Sequence, residues 1–209
     1  MAHQMEPISI KSKSSIATDL LIMERLIQYG ARPPIISQLC HLSRKQSIAF
    51  FKSVQGQSPK QGMLPHDHQW PIRSALNNIH ASLFLSIFED IKNHLSTQKV
   101  TATGLLDAYE IYNNVATKIL AHDQCPQPRA SRHYPLNINR AWYLIGLLSV
   151  GNLVFILCGR CQARYLGMIH PDAVFSQCPI CDVWTDRSER RRWTSSKSKT
   201  LRLCKSKAG

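Results

Sequence analysis

The chain has 209 residues, 23.7 kDa and a hydrophobic share of 44%, enough for one sizeable core with a small satellite module. Lys and Arg number 26 against 13 for Asp and Glu, giving +13 and a pI near 9.7, which directs the search for a partner to nucleic acid first and to acidic proteins or membrane surfaces second. Met1 to Ser15 contains no apolar run, which excludes a secretory leader and predicts a cytoplasmic address.

Residues 1–14 are polar and predict a disordered N-terminus. From Ser15, an N-cap candidate, Ile16, Leu20, Met23 and Ile27 fall on one helical stripe, and Gly30 is positioned to stop the helix. Pro33 and Pro34 suit the first turn of a short second helix ending near Cys40, which reads as a small core hydrophobe. Ser43 caps a third helix, Arg44 to Val54, with Ile48, Phe51 and Val54 facing inward. Two short helices joined by a tight turn make 15–56 a helix-turn-helix-like segment, whose second helix opens with Arg44, Lys45 and Gln46 as candidate DNA contacts. An ordinary helical hairpin with a basic solvent face has the same pattern and is the commoner arrangement.

Residues 57–152 read as a helical body. It opens with a Gly- and Pro-punctuated loop containing His66-Asp67-His68, a triplet that reads as solvated polarity rather than as metal ligands. Arg73 to Leu95 is predicted helical, with Leu76, Ile79, Leu83, Ile87, Ile91 and Leu95 on its apolar face. Thr103 is a cap candidate for the next helix, where Leu106, Tyr109, Tyr112, Ala116, Ile119 and Leu120 share a face. Ala141 to Leu157 carries no charge, but Ser149, Gly151 and Asn152 interrupt it and it is shorter than a span of about 20 apolar residues. It therefore divides into a buried helix, Asn137 to Val150, and a strand, Leu153 to Leu157, with a second strand around Arg164 to Ile169.

The strand delivers the chain to Cys158-Gly-Arg-Cys161, and after sixteen residues Cys178-Pro-Ile-Cys181 follows. A two-residue spacer lets two thiolates of one knuckle face the same ion, and two knuckles complete a tetrahedron. Gly159 and Pro179 suit tight turns inside the knuckles. Residues 153–186 therefore read as a zinc-ribbon module holding one structural zinc, with no ligand position left for a catalytic water. Residues 187–209 form a predicted flexible basic arm. Arg187 to Lys207 holds nine cations against Glu189 alone; Arg187, Arg190, Arg191, Arg192, Lys197 and Lys199 are its candidate phosphate contacts. Trp184 is expected to pack on the zinc module. The fold class is mainly α: a multi-helix body with a helix-turn-helix-like start, then a four-cysteine ribbon and a basic tail. No enzyme is indicated. A zinc deaminase needs His-x-Glu, and none of the nine histidines is followed two residues later by Glu.

Several stretches together resemble the FlhC family of bacterial flagellar transcriptional activator subunits. They are Ser58-Pro59-Lys60-Gln61-Gly62-Met63-Leu64-Pro65 with Trp70, Asn77 to Phe84, Arg140-Ala141-Trp142, Gly151-Asn152-Leu153 and the paired knuckles, with Ser43-Arg44 nearer the start. The resemblance implies a partner, an FlhD-like subunit in a complex of four FlhD to two FlhC. It also implies promoter DNA as the target and one zinc on the four cysteines, and it makes RNA polymerase a candidate further partner. It departs at Asp182-Val183-Trp184, where a proline-rich run is expected, and in the strongly basic tail. The alternative is a zinc-ribbon module that binds RNA or protein without promoter specificity.

Overall fold

The computed structural model describes residues 13–95, 100–122, 136–169 and 178–184. Of the N-terminus predicted disordered over 1–14, residues 1–12 lie outside the described residues and 13–14 belong to the first helix instead; residues 123–135 and the whole predicted basic arm, 187–209, also lie outside them. The element order is α1 (Lys13–Gln28), α2 (Pro33–Cys40), α3 (Arg44–Gln55), a 3₁₀ turn (Trp70–Ile72), α4 (Ala75–His94), α5 (Ala102–His122), α6 (Ile138–Ser149), β1 (Leu153–Leu157), β2 (Arg164–Met168) and α7 (Pro179–Trp184).

α1 starts at Lys13, so Ser15 lies inside it and is not its cap. Only its second half is covered: Met23, Leu26 and Ile27 are buried, whereas Ile16 and Leu20 of the predicted stripe stay 47% and 44% exposed. The helix ends as expected at Gly30, which has φ +87°. The Gly30 N–H donates to Ile27 O (2.8 Å) and the Ala31 N–H to Leu26 O (2.9 Å), the paired bonds of a Schellman stop. α6 ends the same way, with Gly151 at φ +76° and the Gly151 and Asn152 amides returning to Leu148 and Leu147. That stop is what divides the uncharged run into a helix and a strand. No helix among the described residues is long and apolar enough to cross a membrane.

α4 is the central element, packed by α5, α6, β2 and α7. Its buried row is Asn78, Ala81, Ser82, Phe84, Leu85 and Phe88. The predicted row of larger aliphatics is half-buried beside it, and Leu95 is exposed. A helix with neighbours on several sides buries whichever residues face the closest packing, and here these include small and polar ones that periodicity passes over. On α5, Leu105, Leu106, Ala108, Tyr109, Tyr112 and Ala116 are buried; the side chains of Ile119 and Leu120 lie outside the described residues. Thr101, not Thr103, caps this helix: its Oγ1 accepts from the Gly104 N–H at 3.0 Å. Tyr112 accepts from the Leu136 N–H (2.7 Å) and lies 2.8 Å from His80 Nδ1, while Tyr109 donates to Leu136 O (2.9 Å).

A polar junction ties distant segments together. The Arg32 guanidinium donates to the carbonyls of Lys60 (2.9 Å), Gly62 (2.6 Å) and Met63 (2.8 Å). Its amide donates to Asn139 Oδ1 (3.0 Å), and Asn139 Nδ2 donates to Gly30 O (2.9 Å). In the same loop Asp67 is partly buried, accepts from the Gln69 amide and pairs with Arg73 at 3.0 Å, while His66 and His68 are exposed.

Candidate metal centre

β1 and β2 pair antiparallel, Leu153 against Met168 through Leu157 against Arg164. The turn between them is the first knuckle. It is closed by the Cys158 N–H donating to Ala163 O (3.0 Å) and the Gln162 N–H to Cys158 O (2.9 Å), with Gln162 at φ +60°. The second knuckle is not a free turn: Pro179 opens α7, so Cys178 precedes the helix and Cys181 sits in its first turn. Proline suits that place because it lacks the N–H that a helix start leaves unpaired.

The four Sγ atoms of Cys158, Cys161, Cys178 and Cys181 all lie within 4.8 Å of one another. Cys158 Sγ is 3.8 Å from Cys181 Sγ, and Cys161 Sγ is 3.7 Å from Cys178 Sγ. A tetrahedron with Zn–S bonds of about 2.3 Å has edges of about 3.8 Å. The donor set therefore fits zinc in both chemistry and size, and four thiolates leave no open position.

The backbone prepares one ligand in advance. The amides of Arg160 and Cys161 donate to Cys158 Sγ at 3.4 and 3.5 Å. Those N–H groups, Cys161 first, bring the Cys158 thiol down to about 6. Burial raises Cys178, and the neighbouring Cys161 sulfur followed by burial pushes Cys181 up to about 12. Tyr165, Ile72, Ile156 and Ile180 form an apolar shell around the sulfurs. Sequence reading missed that shell, since a strand aromatic and scattered isoleucines carry no ligand signature. It also passed over Arg160 and Arg164, exposed cations on the module itself; Arg164 lies 4.3 Å over the Phe155 ring.

α2 and α3 pack together across His41, Leu42 and Ser43, with His41 left-handed at φ +54°. Arg44, Lys45 and Gln46 open α3 and are exposed. Gln46 is already engaged: its Oε1 accepts from the Ser43 N–H (2.9 Å) and the Ser43 hydroxyl (2.7 Å), while its backbone N–H donates to Ser43 Oγ (3.3 Å). The candidate contacts Arg187, Arg190, Arg191, Arg192, Lys197 and Lys199 lie outside the described residues.

Comparison with known proteins identifies a family. The family model described as flagellar transcriptional activator (FlhC) matches residues 8–194. The chain is 31% identical over 169 residues to the flagellar transcriptional regulator FlhC of Gallionella capsiferriformans, covering 79% of this chain and 81% of the relative. It is 26% identical over 189 residues to that of Proteus mirabilis, with 90% and 91% covered. A match over nearly the whole chain, on a mostly helical fold with a four-cysteine cluster, places the protein in the FlhC family of flagellar transcriptional regulators.

Proposed function

We propose that the protein is a cytoplasmic DNA-binding activator subunit that joins an FlhD-like partner, four FlhD to two FlhC, on flagellar promoters. One structural zinc holds the metal module. The observation that carries the DNA reading is the start of α3, a capped helix N-terminus behind a three-residue turn with Arg44 and Lys45 exposed. A helix end presented in this way can enter a major groove, and its backbone amides favour phosphate. Gln46 contributes chiefly by fixing that end, because its carboxamide oxygen is already occupied and a bidentate contact to adenine needs it. Arg187, Arg190, Arg191, Arg192, Lys197 and Lys199 supply further cations for phosphates, and RNA polymerase is a further partner of the assembled complex.

The test is co-expression with the FlhD-like chain, followed by binding to a flagellar promoter and to a scrambled duplex. Arg44→Ala is expected to lose about 1–3 kcal/mol on the promoter and less on the scrambled duplex. Equal losses on both would leave Arg44 a phosphate contact. Failure to co-purify with the partner would remove the heteromeric reading, and equal affinity for RNA would favour the alternative module.

A further inference from the structure

The β1–β2 hairpin packs on the helical body through Leu153, Leu166 and Met168, and is hydrogen-bonded to α4 at Leu166. The Leu166 N–H donates to Ser82 Oγ (3.0 Å) and to Asn78 Oδ1 (3.3 Å), and Leu166 O accepts from Asn78 Nδ2 (2.8 Å). The Ser82 hydroxyl donates in turn to Asn78 Oδ1 at 3.0 Å. Asn78 and Leu166 are fully buried and Ser82 nearly so. A side-chain amide thus pairs with a strand's peptide as a neighbouring strand would, inside the core.

This contact has the metal centre on one side and the helical core on the other. Tyr165, one residue before Leu166, packs with Cys158 and Cys178, while Leu166 itself belongs to the main core. Ile72 touches both clusters. α7, which carries Cys181, also packs on α4. Both halves of the ligand set therefore rest on the same helix, and β2 is fixed to it by hydrogen bonds. Undocking the hairpin without admitting water would orphan an amide, a hydroxyl and a peptide group at once, which favours an all-or-none attachment.

We propose that Asn78 and Ser82 are positioning residues of the metal centre. By fixing Leu166 to α4 they hold Cys158 and Cys161 at tetrahedral distance from Cys178 and Cys181, and they pass metal occupancy to the helical body. Linkage makes the coupling reciprocal: if docking tightens metal binding, metal tightens docking. The inference rests on the four-thiolate reading.

The experiment uses the full chain loaded with Co²⁺, whose absorption bands report a tetrahedral thiolate site, and with Zn²⁺ challenged by a chromophoric chelator. The variants are Asn78→Ala, Ser82→Ala and, as control, Asn139→Ala, which removes a comparable pair of bonds between α1, α2 and α6. Asn78→Ala is expected to keep the tetrathiolate spectrum but release zinc on the order of tenfold faster, with Ser82→Ala intermediate and Asn139→Ala like the unaltered chain. Stripping metal from the unaltered chain is expected to speed hydrogen exchange at the Leu166 amide and along Asn78 to Phe88. Zinc release unchanged in Asn78→Ala, or quickened equally by Asn139→Ala, overturns the proposal. If Asn78→Ala does not fold, Ser82→Ala and the exchange comparison decide in its place. A chain that takes up no metal defeats the four-thiolate reading first; a tetrathiolate spectrum with no effect of the variants defeats the clamp alone.

Discussion

Ser43 and Gln46 show how one pair of side chains can serve both a helix and the surface it presents. Their reciprocal bonds make a capping box at the start of α3. Ser43→Ala is expected to cost about 1 kcal/mol, read as a shift of the denaturation midpoint at constant slope. Promoter binding should weaken with it even though Ser43 need touch no base. The buried phenols make a separate prediction. Burial raises Tyr112, and burial with the nearby Tyr29 raises Tyr109 to about 12. An unfolded tyrosine ionises near 10, so above that pH the unfolded chain binds fewer protons than the folded one. The stability these groups contribute is complete below about pH 10 and is lost as pH rises, through about 12 for Tyr109 and at higher pH for Tyr112, at up to about 1.4 kcal/mol per pH unit for each. Tyrosinate absorbance followed together with circular dichroism should show the last phenols ionising only as the helices melt.

Among the elements, the ribbon was the most legible in the sequence. β1 runs over the expected residues, β2 within one residue of expectation, and the four cysteines converge as their spacing required. The reason is local: two-residue spacers and a Gly-Asn stop act over a few residues. The face of α4 was misread because Asn78 and Ser82 meet β2 at Leu166, 88 residues away in the case of Asn78. The same limit hid the apolar shell of the sulfurs. Two consequences of the knuckles are measurable. Cys161→Ser is expected to lose the metal and melt the hairpin and α7 together, since ligation and local folding are one equilibrium; full zinc content in that variant would remove Cys161 from the ligand set. With Cys158 brought down to about 6 and Cys178 and Cys181 raised, binding at pH 7 must displace protons from the latter two. At least two protons per zinc should appear in weakly buffered solution, and affinity should fall as pH drops, more steeply below about 6.

At the scale of the molecule, the positive charge is concentrated towards the C-terminus, with further cations on the body. Arg187 to Lys207 contributes nine of the 26 cations, while α3 and the ribbon present Arg44, Lys45, Arg160 and Arg164. Each phosphate neutralised adds about −0.9 to the slope of log K against log salt. Removing residues 195–209 should flatten that slope and weaken all duplexes alike; an unchanged slope would make the arm a solubilising tail. The junction of Arg32 with Asn139 has a consequence in time rather than in equilibrium. It joins residues 107 apart in sequence, so closing it constrains a very long stretch of chain for two hydrogen bonds. Such a contact belongs after the folding barrier, when the helices it joins are already packed. Asn139→Ala should then leave the refolding rate within about twofold and speed unfolding by most of its total cost. The joint would act as a late latch, governing how long the native chain persists rather than how fast it forms.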